Sequence, residues 1–548
     1  MLRDVNISEW PSRHQLNALC FVDHVKISHR QNIHTPYVTS AFRASELAHW
    51  PSAVLTMLDS ASSILAHRLQ NAALLLLSLV FLPFDTSILF FSLFIRLILP
   101  NRADLTRQHA YHQSEFHPRK ILVTGIGMTK GLALARSFYK AGHVVIGADF
   151  EPNGALVCGR GSKSLQRFYR LRKPDAKAGS APYIHSLLEI IAKEKIELWV
   201  SCSGVASAVE DGMAKEIVES RTHCKAIQFD VETTQTLHEK HTFIAHTRDI
   251  GLTVPETHEI ASRAEVETIL RDAPAGRKYI MKTIGVDDAV RGDMTLLPKS
   301  TPMDTSKHIA KLKISKDSPW ILQQFINGKE YCTHSLVVNG EVKAFVACPS
   351  AELLMHYEAL PPKSDLSRAM LDFTKKYAAI GGPGFTGHLS FDFMVSDDET
   401  KDTSSITLYP IECNPRAHTA VALFNGTTAM IDGYLSVLGK SPASKAPSVV
   451  VPVRNDKYYW IGHDLVTRAI LPTMSFLAFG ISFPDLIRNY VTFISHLLIW
   501  KDGTYESWDP LPWWWLYHVY WPMQFLSCIR TGQKWSRVNV STTKMFHC

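Results

Sequence analysis

The strongest pattern in the chain is a run of apolar residues over 72–99. Its two halves, AALLLLSLVFL and TSILFFSLFIRLIL, are each shorter than the roughly 20 residues that a membrane-spanning helix needs. Joined, they are long enough, but Pro83, Asp85 and Arg96 interrupt them. A charge at the centre of a bilayer costs about 2.5 kcal/mol or more on insertion scales. The pattern therefore predicts a hydrophobic helical segment over 71–100 without deciding how it is used.

Three interpretations of this segment stay open. It is a kinked transmembrane helix, a helical hairpin that dips into one leaflet, or a pair of buried helices in a soluble protein. Basic residues flank the segment: Arg68, Arg102, Arg107, Arg119 and Lys120. They could contact anionic lipid headgroups, or equally they could belong to an ordinary solvated linker. We expect a protein at the cytoplasmic face, either membrane-associated through 72–99 or with a single membrane pass.

The pattern changes after Pro118, where short apolar strands alternate with amphipathic helices. RKILVTGIG, LALARSFYKAG and HVVIGAD predict a strand, a helix and a second strand, which is typical of a parallel α/β domain over 119–230. Over 231–445 apolar strands and helices mix as in an α+β domain. Residues 446–548 form an aromatic-rich C-terminal segment, and residues 1–70 form an N-terminal extension of unknown role.

Composition narrows the class of protein only slightly. The 548 residues are 46% hydrophobic and 20% charged, which excludes a disordered or fibrous chain. The net charge, 58 − 51 = +7, fits an anionic small-molecule ligand or a membrane surface better than a nucleic acid, which needs a dense basic stripe. Nine scattered cysteines without a C-x-x-C pair favour reduced thiols over a zinc or disulfide framework.

A glycine loop follows the first strand of the α/β domain. Gly125, Gly127 and Gly131 open a helix, and Asp149 ends the next strand, which is the context of a dinucleotide-binding turn. An NAD(P)-dependent oxidoreductase of the short-chain type also needs a Tyr-x-x-x-Lys motif far downstream. The available match, at 169–173, lies too early in the chain. A structural or substrate-side role for the loop is favoured.

The clearest chemistry lies on two strands of the α+β region. Glu412 and Asn414 stand two apart in a β-type run, so they project from the same face. Asp392 sits inside another apolar strand, where a carboxylate needs a partner or a metal. If these strands pair as a hairpin, the three oxygen ligands converge as Mg²⁺ prefers. Arg416 continues the same parity and can hold a phosphate, or else form a structural ion pair with the carboxylates.

Upstream residues suit a nucleotide. Lys282 lies in the apolar strand KYIMKTI and is costly to bury without a negative partner such as a phosphate. Lys240, at a helix start, serves the same role or is a solvated surface lysine. The run over 320–330 predicts a strand, a turn and a resumed strand, whose backbone can read an adenine edge and whose Glu330 can accept from ribose hydroxyls.

In order and spacing, these residues resemble the ATP-grasp ligase family. The resemblance implies a Rossmann-like pre-ATP-grasp domain followed by a two-lobed ATP-grasp domain, with ATP and Mg²⁺ or Mn²⁺ between the lobes. It assigns the ATP phosphates to Lys240 and Lys282, the adenine to Gln323, Gln324 and Ile326, the ribose to Glu330, the metals to Asp392, Glu412 and Asn414, and the transferred phosphate to Arg416.

Two departures from the family pattern stand out. Many members carry glutamate where this chain has Gln323, and the phosphate loop holds only Gly285 and Gly292. Histidines also recur near the predicted site. Among them His418 is the best candidate for a base toward an attacking amine, although a hydrogen-bonded structural histidine is the commoner outcome. Within the family, residues 71–540 resemble most closely the mycosporine-glycine synthetase-like, natural-product amino-acid ligases.

The implied activity is ATP-dependent carbon–nitrogen ligation in secondary-metabolite biosynthesis. The γ-phosphate moves to an acceptor, a carboxylate or a cyclohexenone enol, and an amino acid then displaces phosphate. The expected partners are these small molecules and no nucleic acid; the sequence does not set the oligomeric state. Two alternatives are a catalytically degenerate, membrane-associated ATP-binding or scaffold protein and the oxidoreductase considered above.

Overall fold

The computed structural model describes residue 58 and residues 62–548, apart from 176, 203, 205–206, 284–294, 351–354, 397–405 and 440–447. Most of the predicted N-terminal extension, together with Gly285 and Gly292 of the predicted phosphate loop, lies outside the described residues. All of the described residues belong to one compact unit.

The helices and strands alternate through most of this unit. The helices are α1 (Ile64–Ile98), α2 (Arg102–Tyr111), α3 (Thr129–Lys140), α4 (Ala181–Glu194), α5 (Ala208–Arg221), α6 (Val231–His238), α7 (Lys240–Asp249), α8 (Arg263–Asp272), α9 (Pro302–Ile309), α10 (Asp365–Gly381), α11 (Ala429–Leu435), α12 (Ile461–Asp464), α13 (Leu471–Leu477), α14 (Phe483–Ile499), α15 (Leu511–Trp515) and α16 (Trp521–Thr531). The strands are β1 (Lys120–Thr124), β2 (Val144–Asp149), β3 (Arg167–Arg170), β4 (Leu198–Val200), β5 (Lys225–Ile227), β6 (Thr257–Ile260), β7 (Tyr279–Thr283), β8 (Trp320–Gln324), β9 (Gly328–Val338), β10 (Glu341–Pro349), β11 (His356–Glu358), β12 (Gly387–Ser396), β13 (Leu408–Asn414), β14 (Lys457–Tyr459), β15 (Lys501–Asp502), β16 (Trp535–Asn539) and β17 (Lys544–His547).

The first sheet is parallel, with strand order β3-β2-β1-β4-β5. The residues Ile121, Leu122 and Val123 of β1 are fully buried, as expected for a central parallel strand covered on both faces. The prediction of a mixed α/β fold with a parallel sheet is therefore confirmed, and it followed from the alternating strand and helix patterns.

Two antiparallel sheets follow. Strands β6, β8 and β7 form the first, and β10, β9, β12 and β13 form the second. The chain passes from one sheet to the other through the short link between β8 and β9, residues 325–327. Helices α7 and α10 cover the second sheet with an aromatic core that includes Phe243, Phe373 and Phe391.

The C-terminal segment is folded back over the parallel sheet. Strand β11 pairs with β14, which pairs with β15, and β16 and β17 form a hairpin. Arg136 of α3 is buried and holds three acceptors of this segment: its Nε lies 2.9 Å from Asp509 Oδ2, and its other nitrogens donate to the carbonyls of Thr504 and Asp509. The ion pair fastens the C-terminal segment to the α/β domain.

The apolar segment is one continuous helix, α1, which runs through Pro83. The two interpretations with a pair of helices, the hairpin and the buried helix pair, are therefore wrong. A single proline removes one backbone donor but need not end a helix of 35 residues, since the turns on either side keep their own bonds. By length and composition this helix could cross a membrane, and few of its side chains are buried.

The three consecutive tryptophans of α15 pack within the protein. Trp513 is buried, Trp514 Nε1 donates to Thr86 Oγ1 of α1 over 3.0 Å, and Trp515 Nε1 donates to the carbonyl of Leu156 over 3.0 Å. The indoles of Trp514 and Trp515 therefore tie the C-terminal segment to other parts of the chain.

Substituting Arg136 with leucine should destabilise the protein by about 3–5 kcal/mol, because Asp509 would be left as an uncompensated buried charge. The matched control is Arg119→Leu, which breaks an exposed pair with Glu197 and should cost about 1 kcal/mol or less. Urea unfolding followed by tryptophan fluorescence measures both. Equal losses in the two variants would contradict the role of the Arg136 pair.

Candidate active site

The site is built on the two paired strands β12 and β13. Their antiparallel register sets Asp392 directly opposite Glu412 and Ser390 opposite Asn414. A register irregularity follows Asp392, between it and Phe393. The two carboxylates, which lie far apart in the sequence, are thereby side by side at one end of the second sheet.

Polar contacts link the predicted site residues in two groups. Asn414 Nδ2 donates to Asp392 Oδ2 over 3.1 Å, and Arg416 Nη1 donates to Asn414 Oδ1. From the start of α7, Lys240 Nζ reaches Glu412 Oε2 over 2.7 Å. Arg416 and Asn414 are buried, whereas the side chains of Lys240 and Glu412 keep 37% and 24% of their exposure, so the cluster opens to solvent at this end.

The electrostatics of the cluster shift the pKa values of the two carboxylates in opposite directions. Burial, together with the charges of Glu412 and Glu330, raises the pKa of Asp392 well above its usual value. Burial also acts to raise the pKa of Glu412, but attraction and a hydrogen bond from Lys240 outweigh it and lower that pKa. Three acidic groups in one partly desolvated site repel each other, and a divalent cation would relieve this repulsion.

The donor set fits Mg²⁺ or Mn²⁺. Asp392 and Glu412 offer carboxylate oxygens and Asn414 offers an amide oxygen, all hard ligands. Asn414 Oδ1 now accepts from Arg416, so the amide would have to turn from Arg416 before it faced a cation. The two carboxylates are therefore the stronger part of the set.

The first antiparallel sheet supplies the other wall. Lys282 Nζ on β7 donates to Gln323 Oε1 on β8 over 2.5 Å, and Gln323 Nε2 donates to Thr257 Oγ1 over 3.1 Å. Burial and the nearby charge of Lys240 lower the pKa of Lys282 to about 7, while Glu412 and Glu330 act in the opposite direction. Lys282 therefore lies within electrostatic reach of the cluster on the second sheet.

The link between the sheets carries the remaining predicted residues. Gln324 Oε1 accepts from the backbone N–H of Glu256, and Ile326 is buried. Glu330 at the start of β9 accepts from Ser350 Oγ over 2.8 Å, and burial raises its pKa. The predicted nucleotide residues thus lie along one continuous edge, from β7 and β8 to β9.

Lys130 was missed by the sequence analysis. It follows the glycine loop, is 3% exposed, and donates from Nζ to the carbonyl of Ala417 over 2.9 Å, next to Arg416. Burial and the Arg416 charge lower its pKa to about 7. Through this lysine the parallel sheet contacts the site. The sequence feature that could have drawn attention to Lys130 is its position between Gly127 and Gly131, at a strand-to-helix turn.

The histidines near the site are hydrogen-bonded to the backbone; His334 is fully buried and His418 is half-buried. His418 Nδ1 accepts from the N–H of Ala420, while His334 Nδ1 accepts from the N–H of His418, both over 3.3 Å. Burial, with His334, Arg416 and Lys130 nearby, lowers the pKa of His418 well below its usual value. The imidazole is therefore neutral, with one nitrogen occupied by the backbone.

The glycine loop has its backbone donors filled by the protein itself. Gly127 N donates to Asp149 Oδ2 over 2.6 Å, and the N–H of Thr129, at the start of α3, donates to the carbonyl of Ser541 over 2.9 Å. A dinucleotide pyrophosphate would need these same groups. This closure disfavours the oxidoreductase alternative.

A second titratable cluster lies on the C-terminal segment. His356 Nε2 and His496 Nδ1 lie 2.8 and 2.5 Å from the two oxygens of the fully buried Asp464. The ligand atoms of the three groups lie within 4.8 Å of one another, a spacing that could also hold a metal ion. Burial acts to raise the pKa of Asp464, but the two imidazoles outweigh it and lower that pKa. This triad holds α14 against β11.

No protein-family model and no curated protein matches the chain. Among solved structures it is similar to an L-amino acid ligase from Bacillus licheniformis, with 14% identity, a TM-score of 0.42, and 63% of this chain and 80% of that chain covered. It is also similar to N5-carboxyaminoimidazole synthetase from Staphylococcus aureus, with 15% identity, a TM-score of 0.41, and 59% of this chain and 78% of that chain covered. A third similar structure is a biotin carboxylase from Campylobacter jejuni in a β-γ-ATP complex, with 14% identity, a TM-score of 0.42, and 60% of this chain and 73% of that chain covered. At these values the similarities decide neither activity nor substrate.

Replacing Lys130 with methionine tests the electrostatic cost of burying this lysine. The folded pKa of about 7 lies below the roughly 10.4 of an unfolded lysine. Protonation therefore favours the unfolded chain, and the penalty on the native state grows as the pH falls from about 10.4 to about 7. We expect the change in melting temperature caused by Lys130→Met to be more positive at pH 7 than at pH 9.5. Lys225→Met, at an exposed lysine, is the control. An equal change at both pH values would contradict the shifted pKa.

Proposed function

We propose that this protein is an ATP-grasp ligase that forms carbon–nitrogen bonds. One observation carries the proposal: the register of β12 and β13 sets Asp392 opposite Glu412, Lys240 pairs with Glu412, and Asn414 links Asp392 to Arg416. Lys282 and Gln323 lie on the adjoining sheet, within electrostatic reach of it. Cations, carboxylates and a buried amide in this arrangement suit a triphosphate with its metal.

ATP would lie along the edge that joins the two antiparallel sheets. In this proposal Gln323, Gln324 and Ile326 contact the adenine, and Glu330 contacts the ribose. The short link between β8 and β9 supports this placement, because its backbone groups and the buried Ile326 offer hydrogen bonds and an apolar wall to a base. Gln323 Oε1 is already aimed at Lys282, so the glutamine substitutes for the glutamate common in the family without losing that contact.

The residues around the phosphates would act by positioning and by charge. When bound, Mg²⁺ or Mn²⁺ would supply positive charge beside Asp392 and Glu412 and so stabilise the phosphoryl oxygens. Lys240 and Lys282 would hold the phosphate chain. Arg416, fixed by Asn414, would present its planar guanidinium to the transferred phosphate.

The acceptor would enter from the side of the parallel sheet. Lys130 and the carbonyl of Ala417 lie there, beside Arg416. The first step transfers the γ-phosphate to an acceptor oxygen, on a carboxylate or a cyclohexenone enol, with ADP leaving. An amino acid nitrogen then attacks the activated carbon, phosphate leaves, and the C–N bond forms. The closed glycine loop would serve as a wall of this pocket, in the manner of a pre-ATP-grasp domain.

The finer assignment is a secondary-metabolite ligase of the mycosporine-glycine synthetase-like type. It is supported by the sequence segments YIMKTIGVDDAVRGDMTLLP, PIECNPRAHTA and YESWDPLPWWWLYH, which lie between residues 279 and 518. A screen of the purified protein against amino acids paired with carboxylate or cyclohexenone acceptors, with product masses read, identifies the substrates. ATP binding without ADP release across the whole screen would favour the alternative, a degenerate nucleotide-binding protein.

Glu412→Gln should lower amine-dependent ADP release by at least about 10³-fold, because the site loses a metal ligand and the partner of Lys240. ADP release is followed by a coupled assay, and the melting temperature reports on folding. Glu358→Gln, at an exposed glutamate paired with Lys457, is the matched control and should retain activity. Undiminished turnover in Glu412→Gln would refute the metal assignment.

His418→Gln tests the predicted base. If His418 accepts the amine proton, the variant should lose about 10²-fold in kcat at saturating amino acid, and the acidic limb of the pH profile should disappear. The control is His463→Gln, at a histidine of the C-terminal segment. A normal pH profile with a lowered melting temperature would instead assign His418 to the backbone contacts already seen at its Nδ1.

A further inference from the structure

Helix α1 buries its polar stripe. Asn71, Ser78 and Ser92 hydrogen-bond to Trp535 Nε1, the carbonyl of Tyr517 and Tyr505 OH over 2.8–2.9 Å. Asp85 lies 2.8 Å from His518 Nε2. All of these partners belong to the C-terminal segment, so one side of the helix is tied to the protein along its length.

The opposite side of α1 is apolar and exposed. Leu69, Leu76, Val80, Phe84, Phe91 and Phe94 are all more than half exposed. Their spacings of seven, four, four, seven and three residues place them on one helical face. A helix at the surface of a soluble protein has the reverse arrangement, with the apolar stripe inside and the polar stripe in water.

A second apolar stripe lies on α14, where the sequence analysis noted only an aromatic-rich segment. Phe483, Ile487, Val491, Ile494 and Leu498 are exposed at spacings of four, four, three and four residues. Phe479, in the loop before this helix, is 96% exposed. On the inner side of α14 the polar His496 contacts Asp464, and Leu486 is buried.

The two helices border one cavity of about 1110 Å³. Phe91 and Ile95 of α1 and Leu497 of α14 line it together. Five basic side chains, against the acidic Asp502 and Glu506, also line it: Arg96, Arg102, Lys140, Arg454 and Lys501. The two apolar stripes are thus neighbours, with positive charge beside them.

We propose that the α1 and α14 stripes dock the protein in the plane of one leaflet of an anionic phospholipid bilayer, without spanning it. The inward polar contacts of α1 run from Asn71 to Ser92, about 30 Å along the helix axis. That distance equals the hydrocarbon thickness of a bilayer. A spanning α1 would carry Tyr505, His518 and Trp535, with the domain to which they belong, into the bilayer core.

Charge and hydrogen bonding select a bilayer over a protein partner. The sole acidic residue of α1 is Asp85, which is turned inward, whereas Arg68 and Arg96 stand near its ends. Ser87 is one of the few polar residues of α1 outside the inward stripe. Its Oγ donates a hydrogen bond to the carbonyl of Pro83 over 2.8 Å, within the same helix. Satisfied polar groups, an apolar face and flanking cations are what an interfacial helix needs.

Vesicle co-sedimentation of the full chain tests the docking. We expect binding to vesicles of 70% phosphatidylcholine and 30% phosphatidylserine, and weaker binding to phosphatidylcholine alone. Phe84→Glu on α1 and Val491→Glu on α14 should each lower the partition coefficient at least tenfold. The matched control, Ile380→Glu, changes an exposed isoleucine on α10 and should bind as the unaltered protein does. Since these positions are already exposed, the fold and ADP release in solution should be retained.

Chemical labelling separates in-plane docking from spanning. Leu65→Cys and Thr106→Cys, on either side of the apolar run, are reacted with a membrane-impermeant maleimide in sealed proteoliposomes. In-plane docking predicts that both positions react from the same side, whereas protection of one position alone would establish a spanning helix and overturn the proposal. A third outcome concerns dimers. If the unaltered protein does not bind vesicles but forms a dimer without lipid, and the two glutamate variants do not form this dimer, the surface binds a second copy of the chain. That result would likewise overturn the proposal.

Discussion

The candidate site depends on two acidic side chains that are forced together. The register of β12 and β13 sets Asp392 opposite Glu412, and their partial burial makes the repulsion between them costly. Lys240 offsets the charge of Glu412, and Arg416 acts through Asn414 on Asp392. The residues that surround the pair are therefore cations held in defined positions, which is also what binding a triphosphate requires.

The same constraint explains why parts that are distant in sequence meet here. Lys240 starts α7, Lys130 is the second residue of α3, and Lys282 lies on a separate sheet. Lys130 and Lys282 have lowered pKa values because they are buried near other cations. An arrangement that disfavours protonated lysines by themselves would become favourable beside anionic phosphates. The site thus stores electrostatic strain that a ligand would release.

Local patterns predicted more of the fold than of the site's surroundings. The alternation of strands and helices sufficed for the parallel sheet, and the two-residue spacing of Glu412 and Asn414 sufficed for their shared face. Lys130 was missed because its importance comes from Ala417, nearly 300 residues away in the chain, and no local signal encodes that contact. The glycine loop suggested a cofactor because the residues that close it, Asp149 and Ser541, are equally remote. The continuity of α1 through Pro83 was also not decidable from residue types, since packing along the helix determines whether a proline ends it.

The burial of the polar stripe of α1 has a consequence for the order of folding. Its partners, at Tyr505, His518 and Trp535, are made more than 400 residues after the helix itself. During synthesis Asn71, Asp85 and Ser92 therefore emerge before their partners in the C-terminal segment, on a helix whose other side is apolar. Closing so long a loop is slow, and the helix is exposed to aggregation until it closes. The inward side of α1 is therefore covered only after residues 505–535 have been synthesised.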